Sequence, residues 1–195
     1  MKKESFKRAE KKLTGVQKIA GCYLLNWTEP EYPQTLLQIY DPPVLLYVRG
    51  NPQVLNLPSL SIVGTCRPTF YGAQMAQRLG KYLAVRGLVI VSGMARGIDA
   101  IGHQGAMDAN GRAIGVLGTG IDVCYPKENR KLYEKVLERG AIISEFPLRT
   151  HPAPENLPTC HSEWWWWKAR STALVRRETR GLRNWMARRK SSTSC

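Results

Sequence analysis

Four short segments carry hydroxyl, basic or acidic side chains, three of them together with glycines, and each directly follows an apolar run typical of a buried strand. They are Gly64-Thr-Cys-Arg67, Ser92-Gly-Met-Ala-Arg-Gly-Ile-Asp99, Leu117-Gly-Thr-Gly-Ile-Asp122 and Ser144-Glu-Phe-Pro147. Glycine lets backbone N–H groups approach a ligand closely, and a helix N-terminus favours an anion. The segments therefore predict a phosphate site, to which Arg67 and Arg96 would add bidentate positive charge.

The turns supply the first candidate phosphate-binding residues. These are Gly64, Thr65, Arg67, Ser92, Gly93, Arg96, Gly97, Gly118, Thr119 and Gly120. A single glycine turn more often serves as a tight connection without a ligand, but several turns in register, two of them with arginine, favour a site. The chain has no G-x-G-x-x-G after a strand and no G-x-x-x-x-G-K-[ST], so the usual dinucleotide and triphosphate signatures are missing. The backbone phosphate of a polymer remains open as the ligand.

Catalytic and metal-binding residues are not predicted. Asp99, Asp122 and Glu145 could meet at the same crevice, yet both aspartates suit helix-terminus or turn positions, where Asp is common for hydrogen-bonding reasons. His103 is a lone helical histidine, which is more often packed than functional. No serine or cysteine has an evident base partner, and the five cysteines include no C-x-x-C pair. We therefore expect no enzymatic activity, metal or cofactor.

The elements that must position these turns alternate between strand and helix. The sequence predicts strands at 60–64, 88–91, 113–117 and 141–144, and helices at 71–86, 98–109 and 128–139. Strands that are apolar throughout must be covered on both faces, and helices between them call for parallel strands with right-handed crossovers. We predict an α/β fold with a doubly wound, mostly parallel sheet, whose ligand crevice lies at the carboxyl ends of the strands.

Net charge and hydropathy bear on possible partners. The charge is +14, of which residues 1–13 carry +4 and residues 159–195 carry +7, so the middle of the chain is only mildly basic. Bulk charge therefore does not identify a partner for the middle segment, since basic ends contact polyanions without specificity. No apolar run is long enough to cross a bilayer, and the N-terminus lacks an apolar signal core. We expect a cytoplasmic protein with no membrane partner.

Five motifs, taken together, resemble the DNA-processing protein A family (DprA, also called Smf). They are Ser61-Ile-Val-Gly-Thr-Cys-Arg67 with Tyr71-Gly72, Val91 to Asp99 with His103, Val116 to Asp122, Tyr125-Pro-Lys-Glu-Asn129 and Ser144 to Pro147. The resemblance runs from about Gly21 to Pro158. It implies an extended Rossmann-like domain that binds single-stranded DNA without enzymatic activity and delivers it to the recombinase RecA in natural transformation.

The resemblance also assigns residues and assembly. It adds Lys127 and Asn129 to the candidate DNA-binding residues, and it implies a homodimer in intact relatives. It predicts three regions: a basic N-terminal segment (1–13), a DprA-like Rossmann domain (14–158) and a tail (159–195). After Asn156-Leu-Pro158 the family's Arg-Asn-Arg stretch is missing.

The tail is interpreted as an out-of-frame, disordered basic segment. Tryptophan has one codon, so Trp164 to Trp167 fix their bases, and a displaced frame there permits Met/Val-Val-Val-Val-Glu, close to the strand that the family carries next. We predict a deletion and frame change between Pro158 and Cys160 and a sheet incomplete at its C-terminal end, which leaves a defective remnant of the family open as a further hypothesis. A genuine tryptophan-rich tail active at membrane surfaces is the alternative.

The alternative function belongs to a different class of protein. A nucleotide-metabolising phosphoribohydrolase-type enzyme is built on a related Rossmann-like sheet. That class resembles Pro-Gly-Gly-x-Gly-Thr followed by a catalytic glutamate, and this sequence has no such string. Release of free base from AMP would favour the enzyme.

Overall fold

The computed structural model describes residues 15–16 and 19–153. Its centre is a six-stranded sheet in the order β1-β2-β6-β5-β4-β3. The strands are β1 (Cys22–Asn26), β2 (Leu45–Gly50), β3 (Ser59–Ser61), β4 (Val89–Ser92), β5 (Ala113–Leu117) and β6 (Ala141–Ser144). Strands β3 to β6 pair in parallel, whereas β2 runs antiparallel to both β6 and β1. The predicted α/β class with a mostly parallel, Rossmann-like sheet is confirmed.

Three helices connect the parallel strands. They are α1 (Phe70–Val85), α2 (Ile98–Asp108) and α3 (Arg130–Arg139). The predicted third helix started at Glu128, but Lys127–Asn129 forms a separate 3₁₀ turn before α3. Strands β5 and β6 have the predicted bounds, and every residue of β4, β5 and β6 is buried, as their unbroken apolar runs required.

The two faces of the sheet are covered differently. Residues of α1, α2 and α3 share one apolar cluster with Ile90 and Ile142 of the sheet. On the other face, Tyr32 and the 3₁₀ turn Pro52–Asn56 pack against alternate residues such as Val91. The doubly wound prediction expected helices on both faces, whereas the described helices all lie on one. Each crossover from β3 to β6 steps in the same direction, so right-handed connections place their helices on the same face.

The segment 21–50, which lies before β3, is rich in proline and aromatic residues. It contributes β1 and β2, which extend the sheet beyond β6. It also buries Tyr32, whose hydroxyl donates to the carbonyl oxygen of Pro43 at 2.7 Å. The segment therefore forms part of the core and covers the face opposite the described helices.

Helix α1 packs through small residues. Its buried positions are Ala76, Gly80, Leu83 and Ala84. Of the four apolar residues whose spacing predicts the helix, Leu83 is buried, whereas Met75, Leu79 and Tyr82 are 44%, 44% and 51% exposed. A Cβ on Gly80 would lie 3.2 Å from the carbonyl carbon of Gly102 in α2, and closer still to its oxygen. The absence of a side chain lets the two helices approach until their backbones are in contact.

Several predictions concern residues outside this description. The N-terminal segment 1–13 and the tail 159–195 lie outside the described residues, so their assignments and the incomplete C-terminal end of the sheet stay predictions. Within residues 15–16 and 19–153, no helix has the length and apolar character needed to cross a membrane.

Candidate nucleic-acid interface

The turn after β3 and the loop after β4 are in direct contact. The Ile98 N–H at the start of α2 donates to the carbonyl oxygen of Thr65 at 3.2 Å. Gly97 has φ +74°, and a Cβ there would lie 2.7 Å from the carbonyl carbon of Cys66 and closer still to the oxygen of Thr65. Only glycine fits both this backbone conformation and this approach, so its position in the sequence is explained by the junction of the two loops.

A third loop is attached to the same junction. The Asn129 side-chain amide donates from Nδ2 to the carbonyl oxygens of Met94 at 2.8 Å and Ala95 at 3.4 Å. This holds the 3₁₀ turn Lys127–Asn129 against the loop after β4. The side chain of Asn129, predicted to contact DNA, thus makes hydrogen bonds within the protein. These bonds also place Lys127 near the two arginine-bearing turns.

The two arginines predicted to bind phosphate are both open to solvent. Arg67 is exposed, and its backbone N–H donates to Oγ1 of Thr65 at 3.1 Å, which closes the turn that carries it. The Arg96 side chain is 62% exposed and its Nε donates to Oε1 of Glu128 at 2.5 Å. The hydrogen bond, aided by charge attraction, raises the pKa of Arg96 and lowers that of Glu128. Two guanidinium groups therefore stand on adjoining loops at one edge of the sheet.

The candidate residues divide into an exposed rim and a buried framework. Exposed or half-buried are Gly64, Thr65, Arg67, Arg96, Gly97, Lys127 and Asn129. Buried are Ser92, Gly93, Gly118, Thr119 and Gly120. We use the name "rim" for the seven exposed or half-buried residues.

The buried framework residues bond within the protein. Ser92 Oγ donates to the carbonyl oxygen of Ile62 at 2.6 Å, and Thr119 Oγ1 donates to that of Val123 at 2.9 Å. The Gly120 N–H donates to the carbonyl oxygen of Thr150 at 3.0 Å. These hydrogen bonds fix the loops after β4 and β5. The buried framework residues therefore hold the rim residues in position.

The two aspartates that could serve in catalysis, Asp99 and Asp122, accept hydrogen bonds from backbone N–H groups. Asp99 is 1% exposed in the first turn of α2 and accepts a hydrogen bond from the Gly93 N–H, and His103 is fully buried. Asp122 accepts from the Arg149 N–H at 2.8 Å, as its predicted turn role required. Glu145 is exposed, and partial desolvation of its carboxyl group, with a smaller effect of the Asp41 carboxylate, raises its pKa. Among the described residues, no three His, Cys, Asp or Glu side chains are grouped so that they could hold a metal ion.

Three residues beside the rim were given no role of their own by the sequence patterns. Glu128 was not singled out, although it lies inside the Tyr125–Asn129 motif and pairs with Arg96. Phe70 and Tyr71, which open α1 just after the Arg67 turn, are 81% and 71% exposed. Their sequence position beside an arginine turn was the available signal.

A groove of about 430 Å³ lies at the other end of the strands. Its lining includes Gly87 and Gly111, which precede β4 and β5, together with Arg112 and Arg139. This places it opposite the predicted crevice, where the parallel strands begin. The groove is therefore separate from the rim. Its arginines can serve as controls for the arginines of the rim.

The fold and the rim together define a class: a Rossmann-like α/β protein with arginine-bearing glycine turns at the carboxyl edge of its parallel strands. Comparison with known proteins makes the assignment specific. The family model for DNA recombination-mediator protein A matches residues 23–160, and the chain belongs to this family.

Curated relatives carry the names of this family. The chain is 40% identical to the DNA processing protein DprA of Bacillus subtilis over 139 residues, which cover 71% of this chain and 47% of that protein. It is also 40% identical to the protein Smf of a Synechocystis species over 134 residues, 67% of this chain and 34% of the relative. The chain thus spans less than half the length of these two relatives.

Solved structures agree with the family assignment. The X-ray structure of DNA processing protein A from Streptococcus pneumoniae matches with a TM-score of 0.65 at 33% identity, over 72% of this chain and 49% of that one. A structure of DNA processing protein A from Helicobacter pylori, described for its single-stranded DNA binding mode, matches with a TM-score of 0.62 at 32% identity. That match covers 69% of this chain and 60% of the other.

Proposed function

We propose that this protein binds single-stranded DNA at the rim, as a DNA-processing protein of natural transformation and recombination. The observation that carries the proposal is the placement of Arg67 and Arg96, both solvent-exposed, on adjoining turns joined by the Ile98–Thr65 hydrogen bond. Guanidinium groups donate paired hydrogen bonds to phosphate oxygens, and they add charge that backbone amides alone do not supply.

A strand is favoured as the ligand over a single nucleotide. The rim residues are exposed or half-buried, and the groove described above lies at the opposite end of the sheet. A polymer can place successive phosphates on Arg67, Arg96 and Lys127, whereas a small nucleotide needs a cavity to bury its base. The Helicobacter pylori relative described for single-stranded DNA binding supports the same ligand.

The proposed activity is binding without catalysis. Asp99 and His103, the acidic and imidazole groups of the helix that follows the loop after β4, are buried. We propose that the protein delivers the bound strand to RecA, a role that rests on the family resemblance, and that it acts as a homodimer. Domain boundaries near 14 and 158 and a frame change after Pro158 belong to the same proposal, and a defective remnant without these activities is its alternative.

Fluorescence anisotropy with a labelled oligo(dT) tests the binding proposal. We expect saturable binding that weakens steeply with salt, because each phosphate neutralised releases counterions with a slope of about 0.7 for single strands. A duplex of equal length serves as the matched competitor and should compete less well than unlabelled oligo(dT). Binding that does not depend on salt, or release of free base from AMP, would count against the proposal.

A further inference from the structure

The ion pair at the rim joins a candidate DNA-binding arginine to an acidic residue of a different loop. Arg96 lies in the loop after β4 and Glu128 in the 3₁₀ turn before α3, and their Nε–Oε1 distance is 2.5 Å. The two side chains are 62% and 52% exposed. Nothing in the packing of the core requires this contact, because both groups lie on the surface.

Glu128 is held in place by its neighbour. The Nδ2 bonds from Asn129 to the carbonyl oxygens of Met94 and Ala95 fix the backbone of the 3₁₀ turn beside the loop that carries Arg96. The carboxylate is therefore presented to the guanidinium by a rigid backbone. Its side chain remains free to turn toward solvent when another anion takes its place.

A carboxylate and a phosphate accept hydrogen bonds from the same edge of a guanidinium group. Exposed ion pairs are weak, so an external anion at high local concentration can replace the internal one. A strand already bound at Arg67 keeps its next phosphates close to Arg96, which raises their effective concentration there. A free phosphate lacks this advantage.

We propose that Glu128 is a specificity residue of the interface, which occupies Arg96 in the free protein and yields it to a strand that is also held at Arg67. This inference rests on the proposed function. Glu128 lowers the affinity of Arg96 for every anion, and only a tethered phosphate overcomes the competition. The residue thus disfavours isolated phosphates at a surface that must bind a polymer.

The decisive variant is Glu128→Gln, which removes the charge and keeps the shape. We expect oligo(dT) to bind about two- to five-fold more tightly, the range that loss of an exposed ion pair allows. The salt dependence should steepen by about 0.7, because Arg96 then acts as an uncompensated charge. The matched control is Glu134→Gln, which removes the carboxylate paired with Arg130 at 3.2 Å on α3. The control should leave the affinity unchanged.

A double-mutant cycle separates competition from a general charge effect. In an Arg96→Ala background, Glu128→Gln should lose its effect on oligo(dT) binding. An equal gain in that background, an equal gain from Glu134→Gln, or weaker binding by Glu128→Gln would overturn the inference. If Arg67→Ala weakens binding and Glu128→Gln changes nothing, this inference fails while the proposed function stands.

A second measurement does not require strand binding. The NMR signal of the Arg96 Nε–H can be titrated with inorganic phosphate in the wild-type protein and in both glutamine variants. We expect Glu128→Gln to respond at lower phosphate concentration than the wild type and Glu134→Gln. Superimposable titrations of the three proteins would reject competition at Arg96, whatever the oligonucleotide does.

Discussion

Replacement of Gly97 by alanine tests the junction that brings the two arginine turns together. The residue has φ +74° and ψ −129°, and its Cβ would lie 2.7 Å from the carbonyl carbon of Cys66. The backbone conformation alone costs a non-glycine residue on the order of 1–3 kcal/mol. Relief of the contact must also move one loop, so we expect a total loss of stability of about 3 kcal/mol or more.

Gly87→Ala is the matched control. Gly87 also has positive φ, +82°, but nothing lies within 4 Å of its Cβ position, and it follows α1 at the opposite end of the sheet. The free energy of unfolding of Gly87→Ala should fall by only on the order of 1 kcal/mol, the cost of a left-handed conformation for a residue other than glycine. The difference between the two variants therefore reports the contact of the loops.

Urea unfolding and oligo(dT) anisotropy measure the two consequences. Gly97→Ala should bind about tenfold more weakly, as expected if the displaced turn loses one charge-assisted contact worth about 1.4 kcal/mol. Gly87→Ala should bind like the wild type under conditions where both variants are folded. Wild-type stability and affinity in Gly97→Ala would refute the described contact, and equal binding losses in both variants would refute its link to the rim.

Three further predictions concern the framework and the helices. Gly80→Ala should destabilise the protein by on the order of 2 kcal/mol in thermal unfolding, because its Cβ meets the backbone of Gly102, and an unchanged midpoint would contradict the close helix contact. Tyr133→Phe should cost about 1–2 kcal/mol in urea unfolding, since it removes the 2.7 Å bond from the hydroxyl to the buried carbonyl of Ile121; no loss would show that the carbonyl finds another partner. Burial raises the pKa of Tyr133 to about 12, so the folded state favours the neutral form of this side chain. The free energy of unfolding should therefore decrease between about pH 10 and 12. In Tyr133→Phe this decrease should be smaller.

Local sequence patterns were sufficient to locate most of the fold. The apolar runs of β4, β5 and β6 have few alternatives to buried strands, and the glycines at 87, 111 and 140 separate helix from strand. Strand β1 was missed because it is a half-exposed edge strand with one fully buried residue. The one-sided placement of the helices was also missed, since it depends on strand order, which local periodicity does not contain.

The buried face of α1 shows a limit of hydrophobic periodicity. Met75, Leu79 and Tyr82 carry the strongest apolar signal but lie toward solvent, whereas Gly80 lies in the contact with α2. Small residues allow backbones to approach, and a hydrophobicity pattern gives them little weight. The helix was therefore predicted correctly, but of the four apolar residues that predicted it only Leu83 is buried.

The position of the candidate site was predictable from the sequence. Which of its residues are exposed, and which loops contact each other, was not. The turn at Gly64 and the turn at Gly118 look alike in sequence, but the first is exposed and the second is buried beneath the loop that follows β6. The contact of Arg96 with Glu128 joins residues 32 positions apart. Both facts depend on how loops from different strands meet, which spacing within one loop cannot specify.

Binding of oligo(dT) by Arg67→Ala and Arg112→Ala tests the central claim most directly. Both arginines are exposed, but Arg67 lies at the rim and Arg112 lines the groove at the opposite end of the strands. We expect Arg67→Ala to lose about 1–3 kcal/mol of binding free energy and about 0.7 of the salt slope, and Arg112→Ala to bind like the wild type. Equal losses in the two variants, or a loss in Arg112→Ala alone, would contradict a nucleic-acid interface at the carboxyl edge of the sheet.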